Sequence, residues 1–298
     1  MNQSEDRPGR AAAWMIGAIA SFSSMAVAGR EVSVQLDTFE LMMYRSLFGL
    51  MIVAAVLTVT GKWASVTTDR LGLHLARNAA HFTGQNLWFF AITMIPLAQV
   101  FALEFTQPIW VLLLSPLLLG ERLTAVRSLA AALGFAGILI VVRPGAEQLN
   151  LGVLCAASAA ICFAFTTIFT KRLTRTASIG CILFWLTLMQ LVLGLIAAGF
   201  DFDITLPDAR ALPWVILVAL AGLLAHFCVA NALAIAPATF VIPIDFARVP
   251  TIAIVGMLLY QEPLDIWVFV GAIVIFAGNY INLLAENRKR RDAAAAGA

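Results

Sequence analysis

Of 298 residues, 61% are hydrophobic and 12% charged. A soluble globular chain carries about 25% charged residues, so this one cannot cover a water-facing surface and must present much of itself to lipid. That excludes a soluble enzyme or a nucleic-acid-binding domain. The net charge of +2 says little, because in a membrane chain the placement of charge outweighs its sum.

A helix needs about 20 mainly apolar residues to cross the hydrocarbon. Runs of this kind cover Ala11–Ala28, Leu41–Val59, Ala79–Ile95, Leu97–Leu119 and Val126–Val142 in the first half. The second half offers Leu151–Thr170, Ile179–Phe200, Leu212–Ile235, Phe240–Tyr260 and Ile266–Leu284. Gly, Pro and charge mark the breaks, and the junctions at Pro96 and Pro237 are short enough to demand tight helical hairpins. The first run ends Ala26-Val27-Ala28, the form of a signal-peptide cleavage site. It is too long for a signal core, and Glu5 and Asp6 dilute its basic flank, so it is expected to remain a span.

With the N-terminus inside, the cytoplasmic segments hold fourteen of the 19 basic residues, from Arg7 and Arg10 to Arg288 and Arg291. The outer segments hold Arg30, Arg143 and Arg210, and Arg45 and Arg248 fall within spans. Basic residues favour the cytoplasmic side, so a bacterial-type inner membrane protein with both termini cytoplasmic is expected.

An offset of 141 residues aligns the halves without a gap. Phe22 falls on Phe163, Pro96 on Pro237, Glu104-Phe105 on Asp245-Phe246, Glu121 on Glu262, and Phe135-Ala136-Gly137 on Phe276-Ala277-Gly278. Five spans per half is an odd number, so the second half enters the membrane inverted. The expected architecture is an all-α membrane protein of ten transmembrane helices in two inverted five-helix repeats, 1–148 and 149–298. Inverted repeats are typical of secondary carriers, which expose one site alternately to either side.

Gln107-Pro108 in the fourth span, then Leu118-Leu119-Gly120-Glu121-Arg122-Leu123-Thr124 and Gly134-Phe135-Ala136-Gly137, resemble the drug/metabolite transporter superfamily, EamA type. Leu258 to Asp265 with Phe276-Ala277-Gly278 resembles a degenerate second copy, and the likeness covers nearly the whole chain. It implies the ten-helix fold and an exporter of small metabolites, similar to exporters of amino acids, aromatic ones among them. Glu121, at the mouth of the fifth span, suits a helix N-terminus and is expected to be a cap. Related four-span drug exporters carry a glutamate in their first span. Here that span reads Ser21-Phe22-Ser23-Ser24, which argues against a proton antiport of that kind.

Ionisable groups at membrane depth face a cavity or a partner. Arg45, Glu104, Asp245 and Arg248 are such groups, expected as an outer Arg45/Glu104 pair and an inner Asp245/Arg248 pair, placed for gating or for holding a zwitterionic substrate, or else static ties between helices. On the third span, Asn78, His81, Gln85 and Trp88 share one face, a polar-aromatic stripe able to line a cavity or to glue helices. His226 is the repeat mate of Gln85. Pro108, Pro116, Pro243 and Pro250 are expected to kink the fourth and ninth spans. Gly134, Gly137, Gly271 and Gly278 suit close helix packing, within the chain or between subunits of a homodimer.

Cys155, Cys162, Cys181 and Cys228 show no metal-ligand spacing, and Walker A, HExxH and nucleophile-elbow patterns are absent. No cofactor or metal is expected. The expected partners are a small-molecule substrate and the bilayer, not nucleic acid, and the chain is read as a monomer or homodimer. The leading function is export of amino acids or similar metabolites. The competing ones are an intramembrane enzyme or assembly subunit, and a carrier for another class such as a drug-like cation or nucleoside derivative.

Overall fold

The computed structural model describes residues 8–119, 124–143, 150–200, 202–236 and 238–296. Glu121, where a cap is expected, lies outside the described residues with its flanking Gly120 and Arg122, as does Pro237. Among the described residues there is no strand. The helices are α1 (Pro8–Val32), α2 (Thr38–Val59), α3 (Leu71–Met94), α4 (Leu97–Glu104), α5 (Gln107–Leu119) and α6 (Ala125–Val142), then α7 (Leu151–Leu173), α8 (Ile179–Ala198), α9 (Ala211–Ile235), α10 (Ala238–Asp245), α11 (Arg248–Tyr260) and α12 (Ile266–Ala296).

Among the described residues, nine stretches are long and apolar enough to cross a membrane, with α4–α5 and α10–α11 each making one. The tenth helix, α3, matches them at 24 residues but is too polar to qualify by composition. It begins at Leu71, well before the expected Ala79. His74, Arg77 and Asn78 end the apolar run in sequence, yet all three are buried against protein, so the helix continues where hydropathy stops.

The fourth and ninth spans are broken, as the prolines suggested, but one turn before the expected place. Pro108 and Pro250 sit in the first turns of α5 and α11, where a missing N–H costs least, and the chain opens at Phe105-Thr106 and Phe246-Ala247. Pro116 and Pro243 are carried inside α5 and α10.

The helices form two compact units. Unit I takes its described residues from Met1–Ser23, Pro96–Asn150 and Leu224–Ala298, and unit II from Ser24–Ile95 and Leu151–Leu223. Each unit draws on both repeats, and the main packing pairs join one span from each: α3 with α7 and α2 with α8 in unit II, α6 with α12 and α4 with α11 in unit I. Glycine sets several of these distances. A Cβ on Gly84 would meet Cys162 and Phe163 at 2.9 Å, and one on Gly137 would come 2.5 Å from Ile275 and 2.8 Å from the Gly271 carbonyl. The small residues of the fifth and tenth spans therefore pack the two repeats together inside unit I.

Within unit II the segments expected on one side of the membrane clasp each other. Glu40, in a capping box with Asp37, accepts from the Thr205 N–H at 2.5 Å, and Tyr44 donates to the Thr205 carbonyl at 2.9 Å. At the opposite end, the Trp185 indole N–H donates to the Thr67 carbonyl at 2.8 Å and Ser178 to that of Ser65 at 3.3 Å. In unit I, Glu262 accepts from the Leu97 N–H at 2.9 Å, capping the first turn of α4, and Arg143 pairs with Asp265. A Cβ on Gly256 would overlap the Glu262 carboxylate, so glycine makes that cap sterically feasible.

Candidate substrate site

In unit I the two broken spans place charge at their openings. Glu104 ends α4, Asp245 ends α10 and Arg248 begins α11. A carboxylate at a helix C-terminus and a guanidinium at an N-terminus each oppose the helix macrodipole. They persist because they neutralise one another. Arg248 Nη2 lies 2.9 Å from Asp245 Oδ2 and Nη1 3.4 Å from Glu104 Oε1. The arginine side chain is 8% exposed and the two acids 22% and 18%. Phe22, Phe105 and Phe101 surround the guanidinium, with ring centroids 4.3, 4.8 and 5.8 Å from its carbon, an aromatic cage for a cation. Asn279 on α12 donates to the Phe105 carbonyl at 2.9 Å, satisfying an acceptor at the helix break. The His226 ring meets Phe22 edge-on at 5.6 Å.

The expected inner pair Asp245/Arg248 forms. The expected outer pair would join a residue of each unit; within unit I, Glu104 lies beside Arg248. The inverted repeat places the mates Glu104 and Asp245 at equivalent helix ends, and packing of α4 on α11 delivers both to one arginine.

Arg45, in unit II, has no carboxylate partner among the described residues of that unit. Its Nη1 reaches only the Met42 sulfur, at 3.8 Å, and a Cβ on Gly222 would crowd its Nη2 at 3.1 Å. A partly buried guanidinium held by a soft sulfur is a donor group with capacity to spare.

The α3 stripe splits when its partners are examined. Asn78 is 0% exposed and fully engaged: it donates to the Trp185 carbonyl at 3.1 Å and accepts from Arg77 at 2.8 Å, while its own carbonyl accepts from Gln190 at 3.4 Å. It ties α3 to α8. His81 faces Phe163 of α7, ring centroids 6.0 Å apart. Trp88 is 4% exposed, edge-on to Phe89 at 5.0 Å. Gln85 is equally buried, yet its amide makes no hydrogen bond with any described residue. Asn86, which the sequence reading passed over, donates to Phe82 at 2.8 Å and leaves its buried Oδ1 unbonded. The reading also missed Arg77, 8% exposed and bonded to the Thr170 hydroxyl at 3.2 Å. Its place at the edge of an apolar run suggested a loop. The cage phenylalanines carried no signal beyond the repeat match of Phe22, since Phe is common in any span.

The groups at membrane depth therefore differ in commitment. Both carboxylates are bound by the chain's own cation, whereas the Arg45 guanidinium and the Gln85 amide are unspent.

Ten spans in two repeats, two of them broken with charges at the openings, define a multi-pass membrane transporter rather than an enzyme. The chain belongs to the EamA-like transporter family, which it matches twice, over residues 9–143 and 150–284. It is 27% identical over 293 residues to a protein of Vibrio cholerae named riboflavin transporter, covering 96% of this chain and 97% of that one. A riboflavin transporter of Brucella anthropi is 32% identical over 253 residues, with 81% and 88% covered. An S-adenosylmethionine uptake transporter of Rickettsia bellii is 24% identical over 275 residues, with 92% and 94% covered. A crystal structure at 15% identity superposes with a TM-score of 0.64 over 93% of this chain and 98% of its own, the same fold.

Proposed function

We propose that this chain carries riboflavin, or a similarly neutral and acceptor-rich aromatic metabolite, across a bacterial inner membrane by alternating access, in the direction of uptake. The observation that carries the choice is the unequal commitment of the buried charges. S-adenosylmethionine is a sulfonium cation and would seek carboxylates, but Glu104 and Asp245 are already engaged by Arg248. A flavin presents ring carbonyls and ribityl hydroxyls, the complement of an unspent guanidinium at Arg45 and an unspent amide at Gln85. The names of the two more similar relatives support this choice over the amino-acid export expected from the sequence. The two repeats supply the two gates, and the lysine and arginine distribution supports cytoplasmic termini.

The test is transport by the full chain in proteoliposomes, with riboflavin followed by fluorescence beside labelled S-adenosylmethionine and labelled amino acids, aromatic ones included. Riboflavin is expected to equilibrate across the membrane with no pH gradient imposed, because the apolar run Ala11–Ala28 of the first span holds no acid and the deeper acids Glu104 and Asp245 are ion-paired. Transport of S-adenosylmethionine in preference to riboflavin would overturn the charge argument. Transport of amino acids alone would restore the sequence-based expectation.

A further inference from the structure

Unit II carries a second concentration of unspent positive charge, away from Arg45. The start of α3 and the end of α7 flank an open cavity of about 600 Å³, lined by Arg70, Leu73, Arg172, Arg175 and Thr176. Three of the five lining residues are arginines and none is an acid. The ion pairs among the described residues, Arg143 with Asp265 and Arg248 with Glu104 and Asp245, include none of the three. The cavity opens at the positive end of α3, whose first residue is preceded by Arg70 in a left-handed conformation (φ 57°) that offers no side-chain cap.

A second observation lies beneath it. Seven residues further along α3, on the face of Arg70, Arg77 is 8% exposed and bonded only to neutral groups, the Thr170 hydroxyl of α7 and the Asn78 amide oxygen. A buried cation without counter-charge on the same α3–α7 seam favours an anion at the mouth above it. The flanking segments 60–70 and 174–178 are joined at one end of the unit, the end read as cytoplasmic from the charge distribution.

We infer that this cavity binds a phosphoryl group, presented either by an anionic phospholipid headgroup of the cytoplasmic leaflet or by a soluble phosphate compound. Guanidinium groups match phosphate oxygens two at a time, and three of them around one opening form a fork-lined anion site. Basic pockets between transmembrane helices on the cytoplasmic side recognise headgroups in this way. The inference is independent of the cargo proposed above, since none of these residues is among the groups assigned to it.

The test uses the full chain reconstituted in nanodiscs of phosphatidylcholine with a minor share of phosphatidylglycerol, followed by native mass spectrometry of the lipids that remain bound. The chain is expected to retain phosphatidylglycerol over phosphatidylcholine, and R172Q/R175Q to lose about thirtyfold of that preference. R172K/R175K should keep most of it, and R288Q, in the basic tail, should keep all of it. In a second arm, delipidated protein is melted in inorganic phosphate and in chloride at equal ionic strength. Protection by phosphate that disappears in R172Q/R175Q, without retention of phosphatidylglycerol, would assign the site to a soluble phosphoryl compound. Equal phosphatidylglycerol retention by the chain and the double variant, with no phosphate-specific protection, overturns the inference. Melting of the variants without ligand shows whether they fold, and the exposed position of Arg70 makes R70Q an independent second probe of the same cavity.

Discussion

Arg45→Met separates a binding role from a structural one, because the two predict opposite signs in stability. Methionine keeps the length and apolar stem of arginine and removes the charge. The hydrogen bond that goes with it is a long one, to the Met42 sulfur at 3.8 Å, and no carboxylate is left behind unpaired. An arginine at the centre of a membrane helix costs about 2.5–3.5 kcal/mol on insertion scales. Arg45 is the eighth residue of a 22-residue helix, about 10 Å from its start, so part of that cost applies. Removing it should stabilise the folded chain by about 1–2 kcal/mol. If the guanidinium donates charge-assisted hydrogen bonds to the cargo, their loss costs about 1.5–3 kcal/mol of binding, or roughly a 10- to 150-fold higher KM. The assay pairs thermal melting in detergent with riboflavin flux over a range of concentrations. A higher melting temperature together with a higher KM is expected. An Arg45→Met protein that melts early has lost a structural partner, and one that transports normally shows that Arg45 does not touch cargo. Either result refutes the reasoning.

The two amides of α3 should part in the same assays. Asn78→Ala breaks a charge-assisted bond from Arg77 and an interhelical bond to α8, costing about 2–3 kcal/mol of stability with KM little changed, whereas Gln85→Ala should raise KM about tenfold and melt normally. Early melting of Gln85→Ala with intact transport would make the stripe packing glue throughout. Arg248→Gln leaves Glu104 and Asp245 without their cation and should destabilise by about 3–5 kcal/mol. Addition of guanidinium at low concentration should recover part of the melting temperature, and failure of methylguanidine and guanidinium alike would show that the cage does not accept a free cation. Gly137→Leu drives a side chain into Ile275 and the Gly271 carbonyl, with a cost of about 1–3 kcal/mol, lower yield and an unchanged order of substrate preference. Single cysteines in a cysteine-free chain should label from outside at Gln35 and from inside at Ser65. Outside labelling at Ser65 would reverse the topology.

Hydropathy, basic-residue placement and the 141-residue offset were enough to establish an all-α membrane chain, its spans and its repeat, because lipid forces the helix faces it touches to be apolar and an odd span count forces inversion. They were also enough to pick out Glu104, Asp245 and Arg248, since charge at membrane depth is rare. What they could not supply was partnership. Asn78 and Gln85 are both buried amides on one helix face, and only the neighbouring α8 makes one a tie and leaves the other uncommitted. Arg45 and Arg248 likewise look alike in sequence, one residue each in an apolar run. The difference arises from the broken spans, which carry two acids from opposite repeats to Arg248, while nothing in unit II brings a carboxylate to Arg45. The start of α3 was misplaced for the same reason: hydropathy measures affinity for lipid, and His74, Arg77 and Asn78 are buried in protein instead. A chain in a membrane advertises the cost of each polar residue in its sequence. Which neighbour offsets that cost, and which residue is left with bonds to give, is decided only when helices distant in sequence pack together.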